Sequence, residues 1–222
     1  MLKKLSEEKQ REIIDCAIHE FADRGLKDAK LGNIAKAAEI SVGVLYKYYE
    51  DKNALFLACV RYVTGKLEEF LEELLSHEDK PLNYAKALIN ELQQYSRRHG
   101  EYIRLYHVTT CTGNYAEELA REIEGCTSQV YVRFIAQAQK KGIVRGDLDP
   151  GLFAFFLDNL LTMMQFSYSC PYYTERMKLF AGADILGRDE YVARQLLRFL
   201  ESAFTLDEKD IVHSTGSTEA NA

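Results

Sequence analysis

The stretch LGNIAKAAEISVGVLYKYYEDKNALF, residues 31–56, contains two short helical patterns and the beginning of a third. In the first pattern Ile34 and Ala38 share one face with a further alanine, as the apolar side of a short helix requires. Ser41 is a favourable N-cap for a second helix over residues 42–49. Because small alanine side chains let two helices cross closely, the stretch predicts a helix-turn-helix.

The rest of the chain predicts further helices and no strand. An apolar face at three- and four-residue steps predicts a first helix over residues 6–24, with Gly25 as its C-terminal stop. Later helices are predicted over residues 52–75, 82–98, 101–110, 115–141, 150–169 and 189–204, and residues 171–188 are expected to be irregular or partly helical. The fold class is therefore all-α, with about nine helices.

Three regions are predicted within this fold. Residues 1–50 form a helix-turn-helix domain, and residues 51–206 form a larger helical domain for effector binding and dimerisation. Residues 207–222 are polar and are expected to be disordered.

The second helix of the helix-turn-helix presents groups suited to a DNA groove. Gly43 lowers helix stability by about 1 kcal/mol relative to Ala, which favours a docking reason for it. Tyr46 and Tyr48 carry hydroxyls that can bond phosphate oxygens, and Lys47 and Lys52 add positive charge. The arrangement matches a recognition helix anchored in a major groove. The residues predicted to bind DNA are Lys30, Ser41, Val42, Gly43, Val44, Tyr46, Lys47, Tyr48 and Lys52.

The pattern IA-x-x-A-x-I-S-x-G-x-LY-x-YY-x-x-K-x-x-L resembles the N-terminal domain of the tetracycline-repressor-like (TetR) family of bacterial transcription regulators. The matching residues are Ile34, Ala35, Ala38, Ser41, Gly43, Leu45, Tyr46, Tyr48, Lys52 and Leu55. This match covers about the first quarter of the chain. The resemblance implies a DNA-binding homodimer whose larger domain holds a cavity for a small-molecule effector.

Several positions depart from the pattern of that family. Glu39 stands in the turn where Gly is frequent, and a left-handed backbone costs a non-glycine residue on the order of 1 kcal/mol. Lys30 and Leu31 replace a usual Thr at the start of the second helix, so a phosphate contact there depends on charge. Val44 replaces a commonly polar residue and favours contact with a thymine methyl group.

The distribution of charge agrees with DNA binding by a small part of an acidic protein. Residues 1–60 carry ten basic and ten acidic residues, so the remainder holds the whole formal charge of −6. A local lysine cluster is sufficient to contact DNA. The N-terminus has charges where a signal peptide needs apolar residues, and the five cysteines lack close spacing, so a cytoplasmic protein is expected.

The apolar patterns of the later helices suggest a dimer interface and a pocket. Helices over residues 152–168 and 189–204 have broad apolar surfaces, which either pack in the chain's own core or pair with a second subunit. The candidate interface residues are Phe153, Phe156, Leu160, Met164, Leu196, Phe199 and Leu200. Mixed aromatic and polar side chains in the middle helices suit a ligand pocket or an ordinary core. The candidate pocket residues are Tyr95, Tyr102, Tyr106, His107, Thr110, Phe134, Met163 and Phe166.

The sequence thus predicts a homodimeric regulator that binds a near-palindromic duplex, acts as a repressor and is released by an effector. No cofactor, metal site or membrane partner is predicted, because His107 and Cys111 alone do not complete a metal site. The absence of a nucleophile–base set or a phosphate loop argues against an enzyme. Two alternatives remain open: a helical protein-interaction module without DNA binding, and a small-molecule enzyme without a recognisable motif.

Overall fold

A computed structural model describes residues 5–75, 81–111 and 116–204 of the chain, and this part contains ten α-helices and no strand. The predicted all-α class is confirmed. The helices are α1 (Glu7–Asp28), α2 (Leu31–Ala37), α3 (Val42–Tyr48), α4 (Lys52–Leu75), α5 (Pro81–Arg98), α6 (Gly100–Thr110), α7 (Ala116–Lys140), α8 (Pro150–Ser169), α9 (Pro171–Ala181) and α10 (Asp189–Phe204). The predicted disordered tail, residues 207–222, lies outside the described residues.

The helix α9 is the main difference from the predicted elements. Residues 171–188 were expected to be only partly helical, but an eleven-residue helix and a short 3₁₀ turn, Ile185–Gly187, occupy most of them. Pro171 stands in the first turn of α9, where its missing N–H costs nothing. None of the residues of α9 is buried, so the apolar periodicity that marks other helices is absent here.

The first three helices and α4 enclose one apolar core. Ser6 begins α1 by accepting a hydrogen bond from the backbone N–H of Lys9, and Gly25 interrupts it with φ 70°, at the predicted stop. The core is closed by side chains that are almost fully buried: Ile13, Ile18, Phe21, Ile34, Leu45, Leu55 and Phe56. Their burial in one shared core holds α3 in place against α1, α2 and α4.

The turn between α2 and α3 is a Schellman motif. The N–H of Ile40 donates to the carbonyl of Ala35 (2.9 Å), and the N–H of Glu39 donates to the carbonyl of Lys36 (3.2 Å). Glu39 takes a left-handed backbone with φ 51° at the turn position that the sequence analysis singled out. The turn therefore forms without Gly, at a conformational cost carried by Glu39.

The larger part of the chain packs around a second core formed mainly by α5, α7, α8 and α10. The first core also extends into it, since Val63 of α4, Leu105 of α6 and Ile123 of α7 belong to the first core. The domain boundary after residue 50 stays a prediction. Across the described ranges, no helix is both long enough and apolar enough to cross a membrane.

Candidate nucleic-acid interface and ligand cavity

The outer face of α3 is open to solvent and its inner face is anchored. Leu45 is buried in the first core, whereas Tyr46 is 56% exposed and Val42 and Lys47 are also exposed. At Gly43 an added Cβ would meet nothing closer than 3.7 Å within its own subunit, so the packing of this subunit does not require a glycine there. A reason for Gly43 outside the subunit, such as close approach to a groove wall, is consistent with this space.

Two further predicted DNA contacts, Ser41 and Val44, lie beside this face with different exposure. Ser41 is exposed at the N-cap position of α3, but only its backbone carbonyl makes the capping bond, to the N–H of Val44 (2.9 Å). Val44 itself is half-buried. The free hydroxyl of Ser41 is available to an external acceptor.

Tyr48 and Lys52 make intramolecular contacts that were not predicted from the sequence. The hydroxyl oxygen of Tyr48 accepts a hydrogen bond from the backbone N–H of Leu5 (2.7 Å). The ammonium of Lys52 donates to the carbonyls of Lys27 (2.8 Å), in the last turn of α1, and of Ala29 (3.2 Å), just beyond α1. Both residues therefore fix the position of α3 and α4 against α1, in addition to any contact with a phosphate.

Glu20 links α1 to the start of α2, a role that its sequence position did not reveal. Glu20 as a whole is 8% exposed, and its carboxylate accepts hydrogen bonds from the backbone N–H of Lys30 (2.9 Å) and from the side-chain amide of Asn33 (2.9 Å). A carboxylate at a helix N-terminus also interacts favourably with the helix dipole. The side chain of Lys30 remains exposed beside α2.

The larger part of the chain contains a cavity of about 460 Å³ between α6, α7 and α8. A smaller chamber of about 40 Å³ lies on the side of α4 and α5. The residues that line both are Tyr106, Glu124, Tyr131, Asp158 and Thr162. The larger volume is in the range of small-molecule sites, which is roughly 300–1,000 Å³.

Two carboxyl groups stand inside this cavity. Glu124 of α7 accepts a hydrogen bond from the hydroxyl of Tyr106 (2.6 Å). Burial, together with the negative charge of Glu124, raises the pKa of Asp158 to about 6. Burial and the nearby Glu124 also raise the pKa of Tyr106 well above its usual value, so that this hydroxyl keeps its proton and remains a donor.

The predicted pocket residues fall into three groups. Tyr106, Thr110, Met163 and Phe166 line the larger cavity, and Tyr95 and Tyr102 line the smaller chamber with Tyr106. His107 packs edge-on against Phe166 (5.1 Å between ring centroids) behind the wall.

Phe134, the last of the predicted set, packs on the second core and is not among the described lining residues of either chamber. The sequence analysis missed Glu124, Asp158, Phe155 and Tyr173 as lining residues, because periodicity does not show which faces of α7, α8 and α9 meet. Among the described residues, no group of three or more His, Cys, Asp or Glu side chains is placed to hold a metal ion.

The candidate interface residues divide between the chain's own core and its surface. Phe156 is 59% exposed, Phe199 is 56% exposed, and Leu160 is also exposed. Leu196 is half-buried. The remaining three are buried within the second core and are unavailable to a partner in this conformation: Phe153, Met164 and Leu200.

Helix α6 connects the ligand cavity to the helix-turn-helix. On one side it contributes Tyr106 to the cavity, and on the other it bonds α1. Glu101 accepts a hydrogen bond from the ring Nδ1 of His19 (2.7 Å), and Arg104 pairs with Asp23 (3.3 Å). The bond to Glu101 raises the pKa of His19, which favours the charged pair. A displacement of α6 would thus move α1 directly.

An exposed, anchored short helix after a tight turn, on an all-helical body with a cavity, is the arrangement of a helix-turn-helix domain joined to a larger helical domain. Residues 13–59 match the model of the bacterial regulatory proteins of the tetR family. Over 61 residues the chain is 34% identical to the HTH-type transcriptional regulator BetI of Cronobacter sakazakii and 33% identical to BetI of Escherichia coli. The matched segment spans only about 30% of the length of these curated relatives.

Solved structures resemble the chain over most of its length at low sequence identity. The regulator FadR from Bacillus subtilis, in complex with stearoyl-CoA, has a TM-score of 0.70 at 15% identity and covers 88% of this chain and 100% of its own. AibR, in complex with isovaleryl coenzyme A and operator DNA, has a TM-score of 0.58 at 21% identity, with 72% and 85% covered. Residues 13–59 thus carry the similarity to the tetR family, and the solved structures share the fold of most of the chain.

Proposed function

We propose that the chain is a homodimeric, sequence-specific DNA-binding transcription regulator that an effector releases from its operator. The observation that carries this proposal is the outer face of α3. Its exposed Val42, Tyr46 and Lys47 surround the open backbone of Gly43, while the buried Leu45 holds the helix in place. These are the groups that a helix in a major groove needs for base contact and phosphate contact.

A dimer is proposed because one short recognition helix reads only a few base pairs. Two copies held about one helical turn of DNA apart would read a near-palindrome. The exposed apolar side chains of α8 and α10, Phe156, Leu160 and Phe199, are candidates for pairing with a second subunit. FadR and AibR were each solved with an acyl-CoA ligand, which supports an internal effector site in proteins of this fold.

The effector is proposed to act through α6. A ligand that fits the cavity only after α6 shifts would bias the pair of recognition helices toward a separation that does not fit the operator. Because α6 holds α1 through Glu101 and Arg104, the shift reaches the helix-turn-helix without a longer chain of contacts. Repression, a cytoplasmic location and the lack of catalysis remain parts of this proposal.

Selection of bound sequences from random duplex DNA, using purified protein, tests the proposal. A two-fold symmetric consensus is expected. Against that duplex, Tyr46→Ala and Lys47→Ala should weaken binding, and Lys47→Ala should lower the slope of log affinity against log salt by about 1. The matched control is Lys66→Ala, which removes an exposed lysine of α4 that pairs with Glu69. Binding that depends on neither sequence nor salt would refute the proposal and favour a protein-interaction module.

A further inference from the structure

The charged side chains that line the larger cavity are all acidic among the described residues. Glu124 and Asp158 approach it from α7 and α8, and among the described lining residues there is no Lys, Arg or His. Within the described part of the chain, Asp158 has no cationic partner, and its burial raises its pKa. A buried carboxylate is unfavourable unless it is paired or protonated, so the site favours a ligand that supplies positive charge.

Aromatic rings form much of the remaining wall. Tyr106 and Phe166 lie 5.7 Å apart between ring centroids, and Phe166 and Tyr173 lie 5.4 Å apart. Tyr131 and Phe155 complete the aromatic part of the lining. Aromatic faces attract cations and also bury apolar groups, so rings next to carboxylates suit a ligand that is both apolar and positively charged.

The smaller chamber carries an independent indication that a ligand or solvent group enters it. Gln165 is 6% exposed, and its Nε2 has no hydrogen-bond partner among the described residues. The hydroxyl of Tyr95 is likewise buried without a partner, and both residues line the chamber beside Asp158. About 40 Å³ is enough for a water molecule or a small polar group, which would satisfy them.

We propose that the cavity binds a lipophilic organic cation, with its positive centre held by Glu124 and Asp158 and its apolar part against the tyrosine and phenylalanine rings. This proposal rests on the proposed function in that the cation is the effector. The two proposals can be tested separately, because binding of the cation is measured without DNA. The carboxylates provide the charge, the rings provide apolar area, and the smaller chamber receives a polar atom of the ligand or a water.

Isothermal titration of the full chain with a pair of ions of matched shape tests the charge preference. Tetraphenylphosphonium should bind, and tetraphenylborate, which has the same shape and the opposite charge, should bind more weakly by about tenfold or more. Benzyltrimethylammonium is a smaller quaternary cation, and it tests the same charge preference if tetraphenylphosphonium is too large to enter the cavity. Decanoate tests a fatty carboxylate as the alternative ligand.

Isosteric variants test the two carboxylates. Asp158→Asn and Glu124→Gln should each weaken the binding of the cation by about tenfold or more, because each removes one negative charge from a partly desolvated site. The matched control, Glu72→Gln, removes an exposed carboxylate on α4 and should leave binding unchanged. Circular dichroism of each variant confirms that it is folded, and Glu124→Gln retains an oxygen that can accept from Tyr106.

The affinity for a permanent cation should also depend on pH. Since the pKa of Asp158 lies at about 6, affinity should fall between pH 7.5 and pH 5, and Asp158→Asn should flatten this profile. The other titratable groups near Asp158 are Glu124, Tyr106 and Tyr131, with His107 behind Phe166. Protonation of His107 would also lower the affinity for a cation as the pH falls. The pH dependence that remains in Asp158→Asn therefore measures the contribution of His107.

Three outcomes would overturn the inference: neither cation binds, the borate or decanoate binds more tightly than the cations, or both variants bind the cation as well as the unaltered chain does. Each can occur while the protein still selects a palindromic duplex, so failure here leaves the DNA-binding proposal intact. Conversely, cation binding that is sensitive to both carboxylates stands even if no duplex is bound.

Discussion

Replacing Asp158 by Asn should stabilise the folded chain above pH 6. The folded pKa of Asp158 is raised from 3.8 to about 6 by burial and by Glu124, so the ionised form is disfavoured in the folded state. The carboxyl group therefore contributes stability that is fully present below its unfolded pKa and is lost as pH rises through about 6. The asparagine variant does not suffer this loss.

The size of the effect follows from the shift. At about 1.36 kcal/mol per pKa unit, a shift of about 2 units corresponds to at most about 3 kcal/mol in the free energy of unfolding at pH 8. Because the group keeps some contact with water, we expect about 1–3 kcal/mol. At pH 5 the advantage of Asp158→Asn should be about half as large, at pH 4 about a fifth as large, and below about pH 3 it should vanish.

Urea denaturation followed by far-ultraviolet circular dichroism, at one protein concentration and at several pH values, measures this difference. Glu72→Gln is the matched control, since Glu72 is exposed on α4 and its loss should change stability by less than about 0.5 kcal/mol. If Asp158→Asn is destabilising at pH 8, or if its effect is the same at pH 5 and pH 8, Asp158 is not an unpaired buried acid.

Four further changes have defined outcomes. Glu39→Gly should raise stability by up to about 1 kcal/mol, because Gly adopts the left-handed backbone without strain. Lys36→Gly in α2 is the contrasting variant and should lower stability by about 1 kcal/mol. If urea denaturation shows that both variants change stability in the same direction, the assigned turn is wrong. Glu20→Ala should lower the free energy of unfolding by about 1–3 kcal/mol and weaken operator binding. Unchanged stability and unchanged operator affinity would show that the start of α2 does not need this carboxylate. The stability lost in His19→Ala should be larger at pH 6 than at pH 8, because the raised pKa of His19 makes its bond to Glu101 strongest below its unfolded pKa; an effect independent of pH would contradict this. Phe199→Glu should convert a dimer to monomers in analytical ultracentrifugation, and an unchanged mass would move the interface elsewhere.

The predicted helices agree with the structure where local rules decide them. Ser6, Gly25 and Pro150 mark helix ends through capping and backbone restriction, and these signals lie within a few residues of the position they determine. The exposed flank of α3 likewise follows from spacing alone, since Leu45 fixes which side faces the core. Helix α9 escaped prediction because no residue of it is buried.

The ligand cavity could be predicted only in part. Tyrosines of α5 and α6 were found from composition, but the pairing of Glu124 with Asp158 depends on how α7 and α8 are rotated against each other. Asp158 interrupts an apolar run, and this interruption was the one local indication of a polar cavity. Lys52 shows the converse limit, since its spacing predicts a phosphate contact and the folded chain adds two carbonyl partners.

The position of α6 between the cavity and α1 has a thermodynamic corollary. If an effector lowers the affinity for the operator by a given factor through α6, the operator must lower the affinity for the effector by that same factor. On α6, Glu101, which bonds His19, and Tyr106, which contacts the cavity, lie little more than one helical turn apart. Effector binding and operator binding therefore both depend on the position of this one helix. Titrating the effector with and without duplex gives this coupling once, titrating the duplex with and without effector gives it a second time, and the two values must agree.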